Sequence, residues 1–178
     1  MKKFLLIFLS LVLSLIICGC SDNSGSGKIA IPQTFESKIN TSSDSGSFSA
    51  DFSYNYGSFV LSMTSPETLK GVEVKKENGV YSLTYNSVKI NAENPNAPYR
   101  IFAETLIKAL RDTENTENLP ENKDGLLVYT GESNYGVYEL CVDSANGNIK
   151  TLSVEKSDVK AEFSNFIDSN EETTYNVL

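Results

Sequence analysis

Alternation of apolar and polar residues, cut into short lengths by turn signals, constrains this chain more than any other feature of its sequence. Phe48, Ala50, Phe52 and Tyr54 alternate with Ser49, Asp51, Ser53 and Asn55, and Phe59, Leu61 and Met63 alternate with Ser58, Val60 and Ser62. A period of two puts every second side chain on one face of a strand, so these segments predict a sheet with one apolar face and one mostly polar face. Further strands are expected over 72–76, 80–85, 126–130, 137–142, 149–156 and 159–163. Between them lie Asn78-Gly79, Asn134-Tyr135-Gly136, Asn146-Gly147 and Ser157-Asp158, residues suited to the left-handed dihedrals of tight hairpins. The pattern predicts about eight or nine antiparallel strands.

One stretch breaks the period. In Pro98–Arg111, Phe102, Ala103, Leu106, Ile107 and Leu110 recur at steps of three and four, while Arg100, Glu104, Lys108 and Arg111 take the other side. This predicts an amphipathic helix opened by Asn96 and Pro98, with Glu104 placed to pair with Lys108, and ended by the polar run Asp112–Asp124, read as a solvated loop. That run lacks the ligand order and the glycine of a calcium loop. About five strands, a helix and four more strands give an α+β, mainly antiparallel chain. The expected architecture is a curled, unclosed half-barrel with the helix across its concave face. A closed up-and-down barrel is the alternative, against which the interrupting helix counts.

The amino terminus carries an address. Lys2 and Lys3 precede an apolar run from Phe4 to Ile17, which is shorter than the ~20 residues a membrane-spanning helix needs and has the layout of a secretory signal. Ile17-Cys18-Gly19-Cys20 resembles the lipobox of bacterial lipoproteins. The resemblance implies cleavage between Gly19 and Cys20, lipid on Cys20 and a lipid-anchored domain on the extracytoplasmic face of a bacterial cell membrane. More than one acyl chain is needed for stable anchoring, each buried CH₂ contributing ~0.8 kcal/mol. The expected organisation is a signal over 1–19, the lipidated cysteine and a flexible Ser/Gly-rich linker over 20–33, the sheet domain over 34–167 and a polar tail over 168–178. Cys18 leaves with the signal and Cys20 is acylated, so Cys141 is the one free thiol and no internal disulfide is expected. Glu139 and Asp143 flank it, a field opposed to a reactive thiolate, and it reads as a small half-buried strand residue.

The order of elements, the turn Pro66-x-x-Leu69-x-Gly71 and the closing Val142-Asp143-x-x-x-Gly147-x-Ile149 hairpin resemble the LolA-like lipoprotein-carrier superfamily over residues 34–167. That resemblance implies an unclosed barrel covered by helices, with an apolar cavity that takes acyl chains. The chain departs from the soluble carriers in having a lipobox and no counterpart of their lid-holding arginine, which brings it nearer the lipidated members.

Composition narrows the chemistry. The chain has no histidine, which removes Ser-His-Asp and Cys-His machinery and any histidine-containing zinc site. With 15 Lys+Arg against 23 Asp+Glu the formal net charge is −8, which disfavours a nucleic-acid partner. Ser153-x-x-Lys156 and Ser157-x-x-Lys160 fall in a strand and a turn instead of at a helix start, and no Lys-Thr-Gly follows. Glu171 and Glu172 are adjacent and cannot oppose one another across a bond. No enzymatic activity, cofactor or metal is expected. The remaining lead is the apolar stripe formed by Phe59, Leu61, Met63, Tyr81, Leu83, Tyr85, Tyr138, Leu140, Val142, Leu152 and Val154, with Phe102 and Leu106 opposite. Such a stripe is required simply to make a core, and it can also line a ligand cavity with Tyr81, Tyr85 and Tyr138 at its rim. Two functions follow: a lipoprotein that holds a lipid or other apolar ligand between half-barrel and helix, or an envelope protein–protein interaction module with a solid core.

Overall fold

A computed structural model of the chain describes residues 29–90, 96–115 and 118–169. The expected cleavage site Gly19-Cys20, the lipidation site Cys20 and most of the linker and polar tail lie outside the described residues. The strands are β1 (Thr34–Ser43), β2 (Gly46–Asn55), β3 (Ser58–Ser65), β4 (Val72–Glu77), β5 (Val80–Tyr85), β6 (Val88–Ile90), β7 (Glu121–Lys123), β8 (Leu126–Ser133), β9 (Gly136–Asp143), β10 (Ile149–Val154) and β11 (Val159–Asp168). The helix α1 (Pro98–Glu114) separates β6 from β7. All eleven strands form one antiparallel sheet in the order β6-β5-β4-β3-β2-β1-β11-β10-β9-β8-β7. It does not close: β6 and β7 are its edges, and α1 runs between them in sequence. Among the described residues the architecture is therefore an open half-barrel with a single α-helix, and not a closed barrel.

The sheet is two meanders joined at a seam. β1 to β6 follow one another outward on one side, β11 back to β7 on the other, and the first and last strands pair in the middle, Ile39 opposite Phe163 and Thr41 opposite Ala161. Register shifts at Glu36/Lys38, Ser49/Ala50 and Ile149/Thr151 increase the local twist and help the sheet curl. The expected Asn78-Gly79 hairpin is present, both residues at positive φ, 51° and 78°.

The strand count exceeds the sequence expectation by three segments that the alternation did not mark. β1 buries Phe35 and Ile39 but also Ser37 and Thr41 on the same face, which masks its period. Ser37 is tolerated inside because its hydroxyl donates to the Ser164 carbonyl at 2.8 Å. β6 and β7 are three-residue edges, and β7 lies inside the run read as a loop. α1 likewise continues into that run as far as Glu114, where Thr113 is buried and its hydroxyl donates to the Leu110 carbonyl at 2.7 Å. Pro98 opens the helix as expected, with Ala97 rather than Asn96 at the cap. Glu104 and Lys108 do not pair with each other: Lys108 pairs with Asp112, and Glu104 turns to the sheet.

The inner face of the sheet packs on α1. Ile101, Phe102, Leu106, Ile107 and Leu110 from the helix meet Phe35, Ile39, Phe52, Leu61, Leu140, Val142, Leu152, Val154 and Phe163 in one apolar cluster. Aromatic rings form a line across it, Phe166 on Phe35 at 4.6 Å, Phe35 to Phe52 at 5.8 Å, Phe52 to Phe59 at 6.0 Å and Phe59 to Tyr81 at 5.9 Å. Phe102 drops from the helix onto Phe52 edge-on at 5.6 Å, an arrangement favoured by the ring quadrupoles.

Candidate functional site

Cross-strand register decides which residues share the concave face. Leu61 faces Val74, Val74 faces Leu83 and Leu83 faces Ile90, while Val72 faces Tyr85 and Tyr85 faces Val88. Directly opposed residues of an antiparallel pair point to the same side, so Val74-Leu83-Ile90 and Val72-Tyr85-Val88 are two apolar rows on the inner face of the β4–β6 wing.

The structure divides the apolar stripe in two. Phe59, Leu61, Met63, Phe102, Leu106, Tyr138, Leu140, Val142, Leu152 and Val154 are all buried, most of them completely, against one another beneath α1. Tyr81, Leu83 and Tyr85 lie on the wing; Tyr81 and Leu83 are half-buried and Tyr85 is 46% exposed. Their neighbours Val88 and Ile90, 65% and 37% exposed, extend the apolar face to the edge of the sheet. The sequence reading missed both, because β6 is too short to show a period.

A polar cleft of about 260 Å³ lies where the β4–β5 and β8–β9 hairpins approach α1. Lys76 contributes from β4, Glu104, Ile107, Lys108 and Arg111 from one face of the helix, and Glu132, Ser133, Asn134 and Tyr135 from the β8–β9 hairpin. The helical residues come together because steps of three, four and seven return to one side. Glu104 is the hub. Tyr81 Oη donates to its Oε1 at 2.6 Å, Lys76 Nζ is 3.7 Å from Oε2, and Arg100 Nε is 3.9 Å from Oε1, close enough for charge attraction and too long for a hydrogen bond. Lys76 Nζ and the Arg100 guanidinium both lie 4.9 Å from the centre of the Tyr81 ring. Burial, reinforced by the hydrogen bond to Glu104, holds the Tyr81 phenol far above its ordinary pKa, so it is a donor across physiological pH. On the far side, Ser133 Oγ donates to the Gly136 carbonyl at 3.0 Å and accepts from the Tyr135 amide at 3.2 Å, which fixes the hairpin at the cleft wall.

Beneath the cleft, Lys108 pairs with Asp112, and Asp112 accepts from the hydroxyl of the buried Tyr138. Burial first, then Asp112, pushes the Tyr138 phenol up. Tyr138 is thus a sealed strut between sheet and helix and not a rim residue. Burial is also the largest influence on Cys141, whose thiol is pushed above its ordinary value; Glu139 pushes in the same direction. None of the cleft residues was singled out as a site residue from sequence, since they come from three separate segments.

No family model matches the chain, and no curated protein matches it. Among solved structures the chain is similar to a LolA superfamily protein from Nitrosomonas europaea, at 13% identity over 78% of this chain and 88% of that one, with a TM-score of 0.36.

Proposed function

We propose that this chain is a non-enzymatic lipoprotein, anchored through Cys20 on the extracytoplasmic face of a bacterial cell membrane, whose half-barrel holds a lipid or other apolar ligand. The observation that carries the reading is the pair of apolar rows on the β4–β6 wing, which continue the core outward past α1 and end uncovered at Tyr85, Val88 and Ile90. Exposed apolar surface continuous with a concave core marks a binding face.

Space favours the wing over the region beneath the helix. Ile101, Phe102, Leu106, Ile107 and Leu110 already pack against the sheet under α1, so a ligand there would have to part closely packed side chains. On the wing nothing need be displaced. A second reading, an envelope protein–protein module, is favoured by the sealed interior beneath α1.

The test uses the exported chain, residues 20–178 with Cys20→Ser, purified without detergent and examined by native mass spectrometry and solvent extraction. A bound lipid of several hundred daltons supports the ligand-holding reading. A clean apo mass that stays unchanged when membrane lipids are offered refutes it in favour of the interaction module. For the anchor, Cys20→Ser in cells is expected to move the protein from the membrane to the soluble fraction; retention in the membrane would refute lipidation.

A further inference from the structure

α1 is fixed to the centre and one side of the sheet and only clipped to the β4–β6 wing. It lies over β8, β9, β10 and β11. There Phe102 packs between Phe52 and Phe163, the Thr105 hydroxyl meets that of Ser133 at 3.4 Å, and Asp112 takes the hydroxyl of the sealed Tyr138. Toward the wing the helix has no comparable seat among the described residues. What joins the two is Glu104, which accepts from Tyr81 of β5 and stands beside Lys76 of β4, with Arg100 over the Tyr81 ring. The cleft lies between helix and wing at this point. Its charges are answered within the chain, Lys76 by Glu104 and Lys108 by Asp112, which suits a fastening.

The wing is also held by a short join to its own sheet. β4 meets β3 only from Phe59–Lys76 to Ser62–Glu73, whereas β1 and β2 pair along their whole length, from Thr34–Asn55 to Ser43–Gly46. β3 runs on to Ser65 without β4 beside it, and the chain returns to β4 through Gly71 at a φ of 86°, where glycine leaves the backbone free to turn. On the far side β6 is the edge of the sheet. Closure leaves one donor unanswered: Arg100 Nε is buried without a hydrogen bond, 3.9 Å from Glu104 Oε1, and water satisfies it once the wing lifts. Along the inner row, exposure rises toward that edge, with Val74 buried, Leu83 half-buried and Ile90 open.

We propose that the β4–β6 wing is a hinged cover fastened to α1 through Glu104, and that its release from Tyr81 and Lys76 lengthens the apolar face from its open end at Ile90 inward to Val74. α1 stays seated while the wing moves. The purpose of the cover rests on the ligand-holding reading above, and the motion is independent of it. A ligand that uses the whole row binds only the open form, so whatever favours opening tightens its apparent affinity in proportion.

The experiment is hydrogen exchange followed by mass spectrometry on the exported Cys20→Ser chain and on its Glu104→Ala and Tyr81→Phe variants, with urea midpoints alongside to show that each is folded. Glu104→Ala is expected to speed exchange over residues 72–90 at least about tenfold, since it removes a hydrogen bond to a charged group and an ion pair together, and Tyr81→Phe to speed it less. Neither is expected to change exchange over residues 100–113 of α1. Should Glu104→Ala lack a urea transition, Tyr81→Phe alone decides. Acceleration of α1 equal to that of the wing, or an unchanged wing in every folded variant, overturns the proposal. Binding of N-phenylnaphthylamine, an uncharged apolar fluorophore, is read on the same proteins and is expected to tighten in Glu104→Ala. Equal affinity in all three proteins despite a faster wing overturns the part the cover plays in binding. A faster wing with no fluorophore bound to any of them upholds the cover and sinks the ligand-holding reading instead, so the two fail separately.

Discussion

Gly131 in the middle of β8 lies under the ring of Tyr138, and placing a single methyl there tests how rigidly the sheet and helix are locked. A Cβ built on Gly131 would lie 2.5 Å from Tyr138 Cζ and 2.8 Å from Cε1, and closer still to the hydroxyl. Ordinary carbon contacts begin near 3.5 Å. The ring cannot retreat, because Tyr138 is wholly buried and its hydroxyl is held by Asp112 on α1. Gly131→Ala must therefore displace the ring and sacrifice that bond, a loss of about 1.5–3 kcal/mol for a hydrogen bond to a charged group, with about 1–3 kcal/mol of overpacking. Against this, replacing glycine in a strand gains about 0.5–1 kcal/mol through backbone entropy, and Gly131 has no positive φ to forbid the change. The balance is a net destabilisation of about 1.5–5.5 kcal/mol. Urea unfolding of Gly131→Ala, Tyr138→Leu and the double variant measures it, and the double-mutant cycle should return a coupling of at least about 1 kcal/mol, since the smaller side chain frees the space. A Gly131→Ala protein within ~0.5 kcal/mol of the parent would show that Tyr138 is not locked and refute the argument.

Other outcomes follow from the same structure. Phe102→Ala leaves a void beside Phe52 and Phe163 and is expected to cost about 3–5 kcal/mol, read as a lowered urea midpoint; a loss below ~1 kcal/mol would mean that α1 is not seated on the sheet. Burial raises the phenols of Tyr54, Tyr81, Tyr99, Tyr129, Tyr135 and Tyr138, so their contribution is fully present below the unfolded tyrosine pKa near ~10 and is lost as the pH climbs through the higher folded values. The urea midpoint should accordingly be independent of these groups up to about pH 9 and fall above about pH 10, less steeply in Tyr138→Phe. Cys141, 8% exposed with its thiol pKa pushed up, should react with a chromogenic disulfide at pH 8 only as fast as the protein opens, and at once in urea; rapid reaction in the native state would contradict its burial.

How much was legible depends on how much each element says locally. The central strands announced themselves because Phe48 to Tyr54 alternate without interruption and Phe59 to Met63 and Tyr138 to Val142 do so with one apolar exception each, Val60 and Cys141, and α1 did so because Phe102, Leu106 and Leu110 keep helical spacing. β1 was silent for a physical reason: its inward positions include Ser37 and Thr41, made bearable in the case of Ser37 by a hydrogen bond to a strand 127 residues away. β6 and β7 draw their pairing from longer neighbours and need no pattern of their own. The end of α1 was hidden because Asp112 and Thr113 look like loop residues until Tyr138 and the Leu110 carbonyl supply their partners. Gly131 marks a close approach inside β8, but the strand expected from sequence ended at Thr130 and left it outside. The cleft was beyond a linear reading, since Lys76, Glu104 and Ser133 line one cleft only after the sheet has curled.

The seam between β1 and β11 sets the order in which this molecule can be made. Each wing is a meander whose pairings are local, whereas the join between them matches Phe35 with Asp168 and Ser42 with Lys160 across almost the whole domain. Closing so long a loop is entropically slow and returns nothing until the last strand arrives. A chain emerging amino terminus first therefore cannot complete its centre before Val159–Asp168 is free. Such a sequence stays loose until its last strand is free and locks only then, and loss of the final strand would leave two unjoined wings with raw edges at β1 and β10.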